Sequence, residues 1–346
     1  MIEARADEIL ARLKPKQRDA AEASTPSHNV GLSELLPSLY SSSVRTTMVC
    51  RWHNPEPSGR CEAREVQRMQ TWEQFTADPS ARIGVLGIAY DENSSYQRGP
   101  AGAPPLIRTA FHSDSSNLWS ENGTDLGEDG VFVDAGDVAP CQDRDMFDEI
   151  AGAVTRLLDH GLLPLILGGD HAVTSSVVGA ISARHSRLSI LHFDAHPDLY
   201  DAYGGNRRSH ASPFARIMEA GLVGRLVQIG IRTMNGHQRE QADKFGVEVV
   251  EMKDWHDELT FDFDTPVYVS FDMDCLDPAF APGVSHWEPG GFTTRQVLRV
   301  IQSLGVPIVG ADIVEFNPSV EAPITAMTAA KVFKEIAAGM LDGLLL

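Results

Sequence analysis

The chain has 346 residues, 42% hydrophobic and 22% charged, enough apolar material for one large domain or two ordinary ones with a normal core. Its formal net charge of −19 disfavours nucleic acid as a partner and suits metal cations and cationic small molecules, although most of that charge reads as a solvated acidic surface. No apolar run approaches the ~20 residues that span a bilayer, and the four cysteines, Cys50, Cys61, Cys141 and Cys275, make no C-x-x-C pair. A thiolate zinc site and redox chemistry are therefore not expected, and a reducing, cytoplasmic setting is. Glu3, Asp7 and Glu8, with no apolar h-region, argue against a secretory signal and less strongly against an organelle transit peptide.

Residues 1–80 differ from the rest. Ile2, Ile9, Leu10 and Leu13 have helical spacing that stops before Pro15, a polar Ala/Ser/Thr stretch follows, and residues 53–60 are loop-like with two prolines and a glycine. This is an extension expected to pack on the main domain or on a neighbouring subunit, with a partly disordered arm as the competing reading. The main domain spans residues 81–346. Residues 83–89 read as a buried strand, 146–160 as an amphipathic helix, 163–167 as a strand, 174–185 as a helix and 188–193 as a strand. Further strands are expected at 226–230, 267–271 and 308–314. Short apolar strands alternating with helices predict an α/β fold, a mostly parallel sheet covered on both faces.

Several of these strands run into metal-type ligands. One enters Gly168-Gly-Asp-His171, the next Asp194-Ala-His196-Pro-Asp198, another Asp272-Met-Asp274, and the last ends at Glu315. Ligands of open parallel sheets bind outside the carboxyl ends of the strands. Asp194, His196 and Asp198 are two apart, as are Asp272 and Asp274, so in extended chain each set points one way. Four carboxylates brought together repel one another unless a counter-charge is present, and two divalent cations supply it. The oxygen-rich set with two imidazoles and no thiolate favours Mn²⁺, with Ni²⁺, Co²⁺ or Zn²⁺ as alternatives. His192 lies one step deeper in its strand and reads as a hydrogen-bonded core histidine.

The stretches GGDHAVT (168–174), FDAHPDLYD (193–201), SFDMDCLDPAFAPGVSHWEPGG (270–291) and VEFNP (314–318) resemble the ureohydrolases, which include arginase, agmatinase and guanidinobutyrase. The similarity spans about residues 82–340 and is nearest to plant-type arginases. It implies the arginase/deacetylase fold, a three-layer αβα sandwich, and a homohexamer or homotrimer. It further implies that His171 and Asp198 hold one metal, that His196 and Asp274 hold the other, and that Asp194 and Asp272 bridge them. By the same resemblance a hydroxide between the metals attacks the guanidinium carbon, Glu315 pairs with the substrate guanidinium, His210 shuttles protons, and Asp198 or Asp274 relays one to the leaving nitrogen.

Some positions depart from the arginine-specific pattern. Tyr200 stands where an asparagine is expected, and Thr233 and Asn235 stand where aspartates are expected. A neutral Asn235 is a poorer partner for a substrate ammonium. Trp287 replaces an aliphatic residue and offers a flat face that could close the pocket over a guanidinium plane, with Thr71-Trp72 as a further lid. These departures make free guanidine the leading expected substrate, in the manner of the nickel-dependent guanidine hydrolases. An arginase, agmatinase or guanidinobutyrase acting on a longer substrate is the alternative, and a non-catalytic metal-binding homologue the remote one.

Overall fold

The computed structural model describes residues 69–77, 79–142 and 144–345; the segments 2–13 and 53–60, Cys50 and Cys61 lie outside them. Among the described residues nine strands form one sheet: β1 (Gln70–Thr71), β2 (Ile83–Ile88), β3 (Phe132–Val138), β4 (Leu163–Leu167), β5 (Ser189–Phe193), β6 (Arg225–Ile231), β7 (Glu248–Glu251), β8 (Val267–Asp272) and β9 (Ile308–Val314). Their order is β1-β3-β2-β4-β9-β8-β5-β6-β7, and every neighbouring pair is parallel.

A parallel sheet needs cover on both faces, and the alternation along its strands provides for it. In β5, Leu191 and Phe193 join one core and Ile190 the other; in β8, Val269 and Phe271 oppose Tyr268. The first face is packed by α2 (Ala103–Phe111), α7 (Thr294–Gln302) and α8 (Pro323–Gly343). The second is packed by α1 (Trp72–Ala77), α3 (Met146–Asp159), α4 (Thr174–Ser182), α5 (Pro213–Glu219) and α6 (Gly236–Phe245). The result is the expected three-layer αβα sandwich.

The helices following β4 and β5 cross the second face, while those following β9 and β8 cross the first. Because β9 and β8 lie between β4 and β5, the chain splits to opposite faces on either side of them. Such splits open crevices at the carboxyl ends of the strands.

Three strands escape the apolar-run reading. β3 carries Asp134 and Asp137, whose carboxylates accept from Arg108 at 2.9 and 2.6 Å, so its outer half is polar. β7 is a short, half-buried edge strand. β1 pairs with β3, so the sheet reaches back into residues 70–71, which the sequence placed in the extension. Trp72 packs edge-on against His160 with ring centroids 5.1 Å apart. It stands at the β1 edge of the sheet, and Thr71-Trp72 forms no lid over the strand ends of β4, β9, β8 and β5.

Candidate active site

Four adjacent strands, β4, β9, β8 and β5, deliver the candidate ligands. β4 leads through Gly168 and Gly169 to His171. A Cβ on Gly169 would collide with the Tyr90 carbonyl, so this close approach of two loops requires glycine.

The ligand loops are not extended, as the two-residue spacing suggested. β5 ends at Phe193, and residues 194–198 form a bend in which Asp198 has φ 51°. Met273–Cys275 is a 3₁₀ turn. The spacing serves a different purpose. Asp194 Oδ1 accepts from His196 N (2.6 Å), Asp272 Oδ1 from Asp274 N (2.8 Å) and Asp170 Oδ1 from Ala172 N (3.1 Å). Each is an aspartate turn closed on the amide two residues on.

The side chains converge all the same. His171 Nδ1 lies 3.2 Å from Asp194 Oδ2, 3.2 Å from Asp198 Oδ2 and 3.1 Å from Asp272 Oδ2. His196 Nδ1 lies 3.4 Å from Asp194 Oδ1 and 3.1 Å from Asp274 Oδ2. Asp194 therefore turns one oxygen to each histidine.

The His171 imidazole is held from behind. His171 Nε2 donates to Ser270 Oγ at 3.0 Å, which donates to Asp312 Oδ1 at 2.8 Å; Asp312 Oδ2 also accepts from Tyr268 (2.6 Å) and Thr174 (2.7 Å). With its proton on Nε2, His171 presents the Nδ1 lone pair to the carboxylates. That nitrogen is buried and makes no hydrogen bond despite three oxygens within 3.2 Å. His192 differs. Its Nδ1 accepts from Gln228 Nε2 at 3.0 Å and its Nε2 donates to Asp194 Oδ2 at 2.8 Å, so it is a buried, fully paired histidine that orients Asp194.

The cluster's electrostatics call for added positive charge. Burial, then the Asp274 and Asp194 carboxylates, push Asp272 well above the usual carboxylate range. Burial works against a charged His171, yet Asp194, Asp198 and Asp272 outweigh it and raise its pKa well above the ordinary value. Protons here stand in for the cations that an orphaned Nδ1 and crowded carboxylate oxygens suit, and the residues fit a pair of divalent ions.

Glu315, at the end of β9, has φ 62°, a backbone conformation rare outside glycine that is tolerated where a site demands it. Its Oε1 accepts from His171 N (2.9 Å) and from His210 Nδ1 (2.9 Å), while its Oε2 is buried with no hydrogen-bond partner among the described residues. His210 Nε2 lies 2.8 Å from Ser95 Oγ and 3.1 Å from Ser95 N, and its Nδ1 carries the proton given to Glu315. Burial opposes a charged His210, but the Glu315 carboxylate outweighs it and the pKa rises to about 9.

The cluster opens into a cleft of about 220 Å³. His196, Asp198, Asp272, Asp274, His210 and Glu315 all line it, and His171 and Asp194 lie behind with no exposure. Two sequence assignments fall elsewhere. Trp287 does not line the cleft; it is 57% exposed and its Nε1 donates outward to Pro282 O at 2.9 Å. Its neighbours His286 and Glu288 face the cleft instead, so the tryptophan does not close it. Asn235 caps α6: its Oδ1 accepts from Gln238 N at 3.0 Å and its Nδ2 donates to Tyr200 OH at 2.5 Å. With both ends engaged it faces no substrate, and Tyr200, Thr233 and Gln238 line the cleft in its place.

Sequence reasoning also passed over Asp312, Ser270, Ser95 and Glu288. A lone carboxylate in the otherwise apolar β9 was a readable signal for Asp312. Ser95 sits on a loop with no local pattern to mark it.

Comparison with known proteins agrees with this geometry. The family described as Arginase family matches residues 81–339. Arginase 1, mitochondrial, of Arabidopsis thaliana is 45% identical over 282 residues, covering 75% of this chain and 81% of that protein. Guanidinopropionase of Pseudomonas aeruginosa is 33% identical and covers 82% of this chain and 95% of that protein. The structure of arginase from Medicago truncatula superposes with a TM-score of 0.71 at 44% identity, covering 75% of this chain and 88% of that one. Members of this family are hydrolases that act on the C–N bonds of guanidino compounds at a binuclear divalent-metal site. The chain belongs to the arginase family and is a metal-dependent hydrolase of that kind.

Proposed function

We propose that this enzyme releases urea from a guanidino compound that carries a tail, with arginine and its decarboxylated analogue agmatine as first candidates. The observation that carries the reading is the buried Glu315 Oε2, without a hydrogen-bond partner among the described residues, beside the histidine–aspartate cluster in an open cleft. A planar cation donating to that oxygen would satisfy it, and charge-assisted bonds to a carboxylate are the stronger kind. Free guanidine loses its structural support, because Trp287 stands outside the cleft. The similarity to plant arginases supports the longer substrate.

His171, Asp198, His196 and Asp274, together with Asp194 and Asp272, would hold the two divalent ions. Bound there, two such ions neutralise the carboxylates and bring the pKa of a water toward neutrality. Mn²⁺ suits the oxygen-rich set, and Ni²⁺ is the alternative. Glu315 orients the guanidinium. His210 keeps its Nδ1 proton on Glu315 and its Nε2 on Ser95, which places a titratable group at the cleft wall. Asp198 or Asp274, both lining the cleft, is assigned the proton transfer to the departing nitrogen. A homotrimer or homohexamer in the cytoplasm completes the proposal, and sedimentation of the purified protein tests the assembly.

The direct test is urea release from arginine, agmatine, 4-guanidinobutyrate and guanidine, each with Mn²⁺ and with Ni²⁺. Turnover of a tailed substrate above guanidine is expected. Turnover of guanidine alone would overturn the substrate reading and leave the class intact.

A further inference from the structure

One carboxylate of the cleft has no task in the account so far. Asp198, Asp272 and Asp274 face the histidines of the cluster, and Glu315 faces His210. Glu288 also lines the cleft. Its nearest cationic partner is His196 Nε2, 3.8 Å from Oε1 and beyond hydrogen-bond reach.

The backbone beneath Glu288 is nevertheless fixed. Arg232 Nε and Nη2 donate to the Glu288 carbonyl oxygen at 2.8 and 2.6 Å. The same guanidinium donates to Asp274 O at 2.7 Å and to Cys275 O at 3.2 Å. Arg232 thereby ties the Glu288 loop to the loop of a cluster aspartate, using backbone carbonyls throughout. It hydrogen-bonds none of the Glu288 carboxylate oxygens, so the loop that carries the anion is fixed while the carboxylate itself is left open to a ligand.

The rest of the lining sharpens the point. Among the described residues, no lysine or arginine lines the cleft. Of the lining histidines, His210 is paired with Glu315, His196 faces Asp274, and burial holds the His286 pKa down, so a carboxylate on a substrate tail is left with the neutral Tyr200, Tyr203 and Gln238 and the repulsion of Glu288. An ammonium would meet an anion that has no hydrogen-bond partner among the described residues and only His196 near it, at 3.8 Å.

Resting on the proposal of a tailed guanidino substrate, we infer that Glu288 anchors a cationic group on that tail, so the enzyme selects guanidino compounds bearing an ammonium over those whose tail ends in a carboxylate alone. The partly exposed setting gives a modest charge-assisted contact, on the order of tenfold in selectivity.

The test compares kcat/KM for agmatine and 4-guanidinobutyrate in the metal-loaded wild type and in E288Q, with metal content measured on both. The wild type is expected to favour agmatine. In E288Q the agmatine-to-guanidinobutyrate ratio is expected to fall about tenfold through KM, with metal content unchanged. An unchanged ratio would overturn the inference, as would a uniform fall with both substrates or a loss of metal, either of which would make Glu288 a support for His196. If neither protein hydrolyses any tailed compound, the proposed function fails first and this inference with it.

Discussion

The floor of the cleft and its mouth are built on different principles. At the floor, His171, Asp194, Asp272 and Asp274 are buried, and each is tied by turns and hydrogen bonds to strands that the sheet holds in register. At the mouth, Tyr200, Tyr203 and Glu288 are partly or largely exposed and belong to loops. Chemistry that tolerates little displacement sits where packing fixes position, and substrate choice sits where side chains can change without disturbing the sheet.

Substitutions should separate the two regions. The largest effect belongs to the floor. Asp272→Asn removes a charge from the cluster and is expected to reduce urea release to background and to lower bound metal, read by elemental analysis. Glu315→Gln keeps the shape but removes the anion facing the guanidinium; kcat/KM is expected to fall on the order of 100-fold with metal content retained. Asp312→Asn acts through Ser270 on His171 and is expected to weaken metal binding by about 10- to 100-fold, measured by competition with a chelating dye.

A pH experiment addresses the pair between floor and wall. Once Glu315 outweighs the burial penalty, the His210 pKa rises to about 9. A histidine raised above its ordinary ~6.5 contributes stability that is fully present below that value and is lost as pH rises through the folded value. The thermal-stability difference between wild type and Glu315→Gln is therefore expected to be largest near pH 6 and to shrink as pH passes 9. A difference that stays constant over that range would contradict the pairing.

The smallest effects belong to the mouth. Asn235→Ala removes the cap of α6 and is expected to cost about 1 kcal/mol in stability, seen in denaturant melts, while kcat stays within about twofold. Trp287→Ala should leave relative activity on agmatine and guanidine as it is, because the ring lies outside the cleft. A gain confined to the longer substrate would restore the tryptophan as a gate.

The same contrast explains what the sequence disclosed. Apolar strands ending in acidic and imidazole residues were legible because a parallel sheet makes continuous apolar runs and sends its functional groups to one end. The D-x-H-x-D and D-x-D spacings pointed to residues that the fold brings together, but on a mistaken geometric ground: the structure closes them at Asp194 and Asp272 as aspartate turns, not as extended chain. Which way Trp287 and Asn235 face was not legible. Loop direction is set by tertiary partners such as the Pro282 carbonyl and the Tyr200 hydroxyl, which no local periodicity announces. β3 was missed because Asp134 and Asp137 interrupt its apolar pattern to meet Arg108.

The central claim is that the converging histidines and aspartates hold a pair of divalent ions on which hydrolysis depends. The most direct measurement is metal content per chain, by elemental analysis after equilibrium dialysis across a series of Mn²⁺ concentrations, set beside urea release on the same samples. The account predicts a plateau of two ions per chain, with activity rising to its maximum as the second is taken up. Full activity at one ion or none, or two ions bound equally well by Asp272→Asn, would contradict it.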